Sequence, residues 1–121
     1  MKPLGVHHVS INVDDVDAAL AFYVGTLGLE QRPDRPDLGF PGAWLDAGGQ
    51  QVHLIGARVP GHLGQHFALQ VGDLATTIGE LREAGVDVSD EVLIGTGRQA
   101  FTHDPAGNMV ELHQAATPVS P

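Results

Sequence analysis

The chain has 121 residues, enough for one small domain or for two half-sized modules sharing a core, and 42% of them are apolar, which excludes a disordered chain. Lys and Arg number 6 against 15 Asp and Glu, a net charge of −9 that repels phosphate backbones and anionic lipid and so argues against nucleic acid as a partner. There is no cysteine, hence no disulfide or thiolate ligand, and no apolar run long enough for a signal peptide or a membrane span, so a cytoplasmic protein with no membrane contact is expected.

In chain order, VHHVSINV (6–13) alternates and is rich in β-branched residues, which predicts a strand. DDVDAALAFYVGTLG follows. Asp14 or Asp15 can cap a helix, Val16, Leu20, Tyr23 and Leu27 form an apolar stripe at helical spacing, and Gly28 suits the stop. Short strands are predicted over 29–32, 42–46 and 50–56, with RPDRPDLGFPG (32–42) as a loop between the first two. GARVPGHLG (56–64) is a linker in composition. QHFALQV (65–71) predicts a strand, and DLATTIGELREAG (73–85) a helix capped by Asp73 with Leu74, Ile78 and Leu81 toward the core. Strands are then expected near 86–88, 98–103 and 108–113. The expectation is one domain, 1–121, built from two βαβββ modules at 1–57 and 64–115, with a tail at 116–121.

The two modules are also related in sequence. DAGGQQVHLI (46–55) aligns with DPAGNMVELH (104–113), and HVSINVDD (8–15) with HFALQVGD (66–73), both at an offset of 58. Asp46/Asp104, Gly49/Gly107, Val52/Val110, Leu54/Leu112, His8/His66, Val13/Val71 and Asp15/Asp73 are identical, 7 of 18 pairs. Average composition gives roughly one by chance.

The stretch GNMVELHQ (107–114) raises a chemical question. Alternation puts Val110 and Leu112 on one face of a strand and Met109, Glu111 and His113 on the other. A carboxylate there either meets water or points at something. The offset pairs Glu111 with His53, and His8 with His66, so four repeat-related positions carry His, His, His and Glu. Three imidazoles and a carboxylate are a ligand set for a divalent first-row metal such as Zn, Fe, Mn, Co or Ni. His53 is either a ligand or a nearby acid/base. His7 is expected to face away from His8, His62 and His103 to be solvent or loop residues, and His113 to share the face of Glu111. Arg98 is a candidate for a substrate anion and Trp44 for a cleft wall, against the plainer alternatives of surface arginine and core tryptophan.

HHVSINVDDVDAALAFYVGTLGL (7–29), HFALQVGDL (66–74) and DPAGNMVEL (104–112) together resemble the vicinal oxygen chelate superfamily, which includes glyoxalase I, bleomycin-resistance proteins, fosfomycin-resistance transferases, methylmalonyl-CoA epimerase and extradiol dioxygenases. The resemblance implies an α+β fold of two βαβββ modules forming a cupped mixed β-sheet around a metal cleft. It implies metal ligands at His8, His66 and Glu111, with His53 at the fourth position. There are departures. Glyoxalase I typically carries a glutamate where this chain has His53. The serine- and lysine-bearing stretch of the fosfomycin enzymes is not found. Extradiol enzymes need an acid/base tyrosine, and the single tyrosine, Tyr23, is on the first helix.

The expected function is therefore a metal-dependent lyase or isomerase acting on a small molecule with two neighbouring oxygens. Glu111 or His53 would move the proton and the 32–42 loop would close over the substrate. The alternatives are an Fe(II) extradiol-type dioxygenase and a protein that binds an antibiotic or metabolite without turnover. A homodimer is expected from the resemblance, with ligands contributed by both chains.

Overall fold

The computed structural model describes residues 1–116, so the tail expected at 116–121 lies outside the described residues except for Ala116. Contacts divide the chain into two units, Met1–Gly61 and a second that begins at His62. The first unit contains β1 (His8–Val13), α1 (Val16–Leu20), β2 (Glu30–Gln31), β3 (Gly42–Ala47) and β4 (Gln50–Gly56). The second contains β5 (His66–Gln70), α2 (Leu74–Glu83), β6 (Val92–Ile94), β7 (Gly97–His103) and β8 (Met109–Gln114). No helix among the described residues is long and apolar enough to cross a membrane.

Each unit folds its four strands into one mixed sheet, ordered β1-β4-β3-β2 in the first and β5-β8-β7-β6 in the second. β1 runs parallel to β4, and β5 to β8; the remaining pairs are antiparallel. The 58-residue offset reappears in the pairing: His8 lies opposite Gln51 and His66 opposite Met109. Alternation sends Val13, Ala43, Leu45, Val52 and Leu54 into the first core, and Ala100, Thr102, Val110 and Leu112 into the second. Each such Leu or Val stabilises its unit by about 1.5–3 kcal/mol of apolar burial. The opposite face of each sheet carries the polar and ring-bearing residues.

The helix starts follow the expected chemistry. Asp15, in extended conformation, accepts from the Ala18 N–H at 3.0 Å, and Asp73 accepts from the Thr76 N–H at 3.1 Å. Such caps are worth about 1 kcal/mol. In α2 the buried residues are Leu74, Ile78 and Leu81, as the spacing predicts. The first helix departs from expectation. After α1 the chain widens into a π-helical segment, Ala21–Thr26, whose end is marked by the Leu27 N–H donating to the Phe22 carbonyl at 2.9 Å. The wider turn rotates the buried face. Ala19, Phe22 and Tyr23 are buried, whereas Val16, Leu20 and Leu27 are half-buried.

Two further expectations are corrected. No strand forms at 86–88; Val88 makes one isolated bridge to Thr102, and the edge strand is β6 at Val92–Ile94. The backbone of 86–88 is committed to ending α2. Gly85 takes φ +82°, the Val86 N–H returns to the Leu81 carbonyl at 2.9 Å, and the Arg82 guanidinium donates to the Val88 carbonyl at 2.9 Å. The repeat pair Asp46/Asp104 also diverges. Asp46 is in β3, where it accepts from Arg32 at 2.9 Å. Asp104 is buried in the longer β7–β8 loop and accepts from the backbone N–H groups of Ala106 and Asn108 at 2.9 and 2.8 Å.

Candidate metal centre

β8 places Glu111 on the face opposite Val110 and Leu112, yet Glu111 is only 9% exposed. It does not meet water because two imidazoles cover it. His66, at the start of the neighbouring β5, brings Nε2 to 3.1 Å from Oε1. His113, two residues along β8, brings Nδ1 to 3.0 Å from Oε2. Phe101 is the β7 residue opposite Glu111, and its ring meets the His66 ring edge to face at 5.7 Å. A carboxylate only accepts, so each contact has its proton on the imidazole nitrogen.

The other nitrogen of His66, Nδ1, lies 2.8 Å from the Gly64 carbonyl, to which it donates. Both nitrogens thus face acceptors, which favours the imidazolium. Its pKa is raised above the ordinary histidine value, first by the Gly64 carbonyl and then by Glu111, against a smaller opposing effect of burial. The carbonyl holds Nδ1–H in either charge state. Nε2 is therefore the nitrogen that can exchange its proton for another cation.

In the first unit the equivalent positions are occupied differently. His53 sits on β4 opposite Ser10 of β1 and Trp44 of β3. Its ring lies nearly parallel to those of His8, at 3.9 Å between centroids, and Trp44, at 4.7 Å. His53 Nε2 is 2.8 Å from Oε1 of Gln51, on the same face of the same strand. No carboxylate is among these contacts. Burial, then the charges of His8 and His7, hold the His53 pKa below the ordinary value, so the neutral ring is favoured. His7 precedes β1, where strand alternation does not apply. Its Nδ1 lies 2.9 Å from His8 Nδ1 instead of facing away.

The structure thus describes two pairs: His8 with His53 in the first unit, and His66 with Glu111 in the second. Among the described residues, no group of three or more His, Asp or Glu forms a metal cluster as it stands. Trp44 shares the face of His53. Arg98 does not share the face of Glu111. In β7 it alternates with Ala100 and Thr102 on the side that turns to the core, and its guanidinium pairs at the surface with Glu91 at 3.1 Å. His62 and His103 are exposed, with rings 6.4 Å apart. Sequence reasoning did not single out Gln51 or Gly64. Gln51 carries a signal, being two residues from His53 on the same strand face; a backbone acceptor such as Gly64 has none.

The family model described as the Glyoxalase/Bleomycin resistance protein/Dioxygenase superfamily matches residues 5–112. A protein of Arabidopsis thaliana named Glyoxylase I 4 is 31% identical over 121 residues, covering 88% of this chain and 68% of the relative. An ethylmalonyl-CoA/methylmalonyl-CoA epimerase of Cereibacter sphaeroides is 33% identical over 129 residues, covering 90% and 96%. The crystal structure of TnmS3, an antibiotic binding protein from Streptomyces sp. CB03234, superposes with a TM-score of 0.82 at 27% identity, covering 95% of this chain and 98% of that one.

Proposed function

The chain belongs to the Glyoxalase/Bleomycin resistance protein/Dioxygenase superfamily, and we propose on that footing that it is a metal-dependent enzyme carrying out lyase or isomerase chemistry on a small molecule with two neighbouring oxygens. His8, His53, His66 and Glu111 are the proposed ligands. Imidazole nitrogen and carboxylate oxygen suit Zn, Fe, Mn, Co or Ni. The support comes chiefly from one observation: Glu111 is buried on a sheet face with an imidazole at each oxygen, 3.1 and 3.0 Å away. A buried carboxylate with no structural partner beyond titratable rings is an expensive arrangement unless it binds a cation. The His66 ring fits the same purpose, since its Nδ1–H is tied to a carbonyl and Nε2 faces the carboxylate.

When bound, the metal would supply Lewis acidity toward the substrate oxygens. The chain's own residues supply the rest. Glu111 can accept a proton and pass it to His66 or His113, both within hydrogen-bond distance. His53 is held neutral by its surroundings, so its ring is available as a base or ligand near neutrality. Trp44 stiffens His53 by stacking and walls that side of the sheet face. Arg98 has no part in this proposal, because it lies on the other face of β7.

Elemental analysis of protein purified without a His-tag or chelator tests the metal directly. About one equivalent of a first-row divalent ion per chain is expected, and none above trace would overturn the proposal. Single changes of His8, His66 or Glu111 to Ala should each lower metal affinity by at least about tenfold, and full retention in all three would be equally damaging. Iron with oxygen consumption would move the assignment to an extradiol-type dioxygenase.

A binding function without turnover is the second reading. The specific observation in its favour is the three-ring stack of Trp44, His53 and His8, a flat aromatic surface on which a planar ligand can lie. TnmS3 is the similar protein that is named for antibiotic binding. Metal-free protein that binds its ligand and returns it unchanged would support this second function.

The working molecule is proposed to be a homodimer. Mixing His8→Ala/His53→Ala with His66→Ala/Glu111→Ala under exchanging conditions tests whether subunits share ligands. Sharing predicts that each heterodimer regains one intact set, and ligands contributed by single chains predict no recovery. Sedimentation as a monomer at micromolar concentration would overturn the dimer.

A further inference from the structure

We infer that His113 is a positioning residue that occupies one oxygen of Glu111 and leaves the other as the single oxygen offered to a metal. The inference rests on the metal-dependent function proposed above and adds a residue to that site.

Three observations carry it. Oε2 of Glu111 takes the Nδ1–H of His113 at 3.0 Å, whereas Oε1 faces Nε2 of His66 at 3.1 Å. The two oxygens are thus differentiated by the chain. The His66 contact is between two proposed ligands, and an ion arriving there displaces a proton. The His113 contact is between a proposed ligand and a residue of β8 itself, and nothing about ion binding requires it to break.

The second observation is how the His113 ring is held. Gly97 of β7 lies beneath it. A Cβ built at Gly97 would fall 3.2 Å from His113 Nε2 and 2.8 Å from the Gln114 carbonyl oxygen. The absence of a side chain at 97 therefore makes the space in which the ring lies. The third is register. His113 pairs with Gln99 on β7, and Glu111 with Phe101, so both side chains stand on the central strand of one sheet, two residues apart on the same face. Ligands and supports on rigid strands keep their geometry with little ordering cost.

The chemical consequence concerns denticity. A carboxylate with both oxygens free can bind a cation through both, which fills an extra coordination position. Engaging Oε2 with an N–H donor favours binding through Oε1 alone and keeps a position open for substrate. The donor also fixes the torsion of the carboxylate, which a terminal bond leaves broad.

Substitution with Asn separates this role from packing or charge. Asn Nδ2 stands close to where His Nδ1 stands, donates a hydrogen bond and does not titrate. Co(II) is the probe, with affinity from titration and coordination number from the intensity of its visible absorption bands. His113→Ala is expected to weaken Co(II) binding by about tenfold and to change the band intensity toward higher coordination. His113→Asn is expected to restore the wild-type spectrum and to bind within about threefold of wild type. Wild-type behaviour of the Ala variant, or an Asn variant no better than Ala, would overturn the inference. A second measurement needs no metal. Nitrogen chemical shifts of His113 in the metal-free protein at alkaline pH should report the Nδ1–H tautomer, and Glu111→Ala should release it. A wild-type Nε2–H tautomer would overturn the inference. Wild-type protein that shows the Nδ1–H tautomer but takes up no Co(II) would instead overturn the metal-dependent function, so the two failures are distinct.

Discussion

Glu111→Gln separates what the carboxylate does for folding from what its charge does for a cation. The glutamine has the same shape but one acceptor and one donor. His113 can still donate to the amide oxygen. The amide N–H₂ can donate to His66 Nε2 once that nitrogen is unprotonated, because the Gly64 carbonyl holds the proton on Nδ1 at 2.8 Å. Both contacts therefore survive with one proton fewer. What is lost is the charge assistance, and the side chains of His66 and His113 are each 34% exposed, so water replaces part of it. The cost in stability should be about 1 kcal/mol, or roughly 3–6 °C in Tm for a chain of this length. The His66 pKa should fall but stay above the ordinary value, because the Gly64 carbonyl, not Glu111, is the larger cause of its rise. Metal affinity should fall by at least about tenfold. The assays are thermal melts of the metal-free protein, histidine titration by NMR, and Co(II) titration. A loss of more than about 3 kcal/mol, or a His66 pKa at or below the ordinary value, would refute the reasoning by showing that the charge itself holds this face together.

In the metal-free protein the two imidazoles should act on stability at opposite ends of the pH range. His66 has a raised pKa, so its contribution is complete below the ordinary value of 6.5 and is lost as pH rises through the raised value. His53 has a lowered pKa, so its contribution is present above 6.5 and is lost as pH falls through the lowered value. His66→Ala should accordingly flatten the alkaline side of a Tm–pH series and His53→Ala the acid side; the reverse assignment would contradict the contacts. Leu54→Ala, at a position 1% exposed in the first core, should cost about 2–5 kcal/mol by urea melt while leaving the His66 titration unchanged. A loss under about 1 kcal/mol would mean that the core closes around the gap.

Much of the architecture was legible because its signals are local or repetitive. Asp15 and Asp73 announce helix starts, Leu74, Ile78 and Leu81 announce the buried face of α2, and the offset of 58 is reproduced in the pairing of β1 with β4 and of β5 with β8. The misses have tertiary causes. A continuous helix was expected through Leu27 because α and π turns present similar apolar spacing, and the choice depends on burying Phe22 and Tyr23 side by side. Strand propensity at Val86 and Val88 lost to the termination of α2, which uses their backbone groups. The candidate site was legible as residue types at related positions. Its charge states were not. The raised pKa of His66 stems mainly from a backbone carbonyl, and the lowered one of His53 from stacked rings, and neither is encoded in spacing.

The pair His53 and Glu111 shows what divergence after repetition does to the proposed chemistry. A divalent ion held by three neutral imidazoles and one carboxylate keeps a net charge of about +1, whereas a second carboxylate would bring it to about zero. The residual charge favours a substrate that becomes anionic as it reacts, since opposite charges about 4 Å apart attract by about 4 kcal/mol at an effective dielectric near 20. His53→Glu tests this. The glutamate loses the stack on His8 and Trp44, now 3.9 and 4.7 Å from the His53 ring, and gains a charge facing the ion. Metal affinity should therefore rise, and the affinity of the loaded protein for a small anionic chelator such as oxalate should fall by about tenfold or more, both read by calorimetry. If the variant holds its metal no more tightly and binds oxalate as wild type does, the side chain at 53 does not face the ion, and its neutral, stacked imidazole serves the substrate instead.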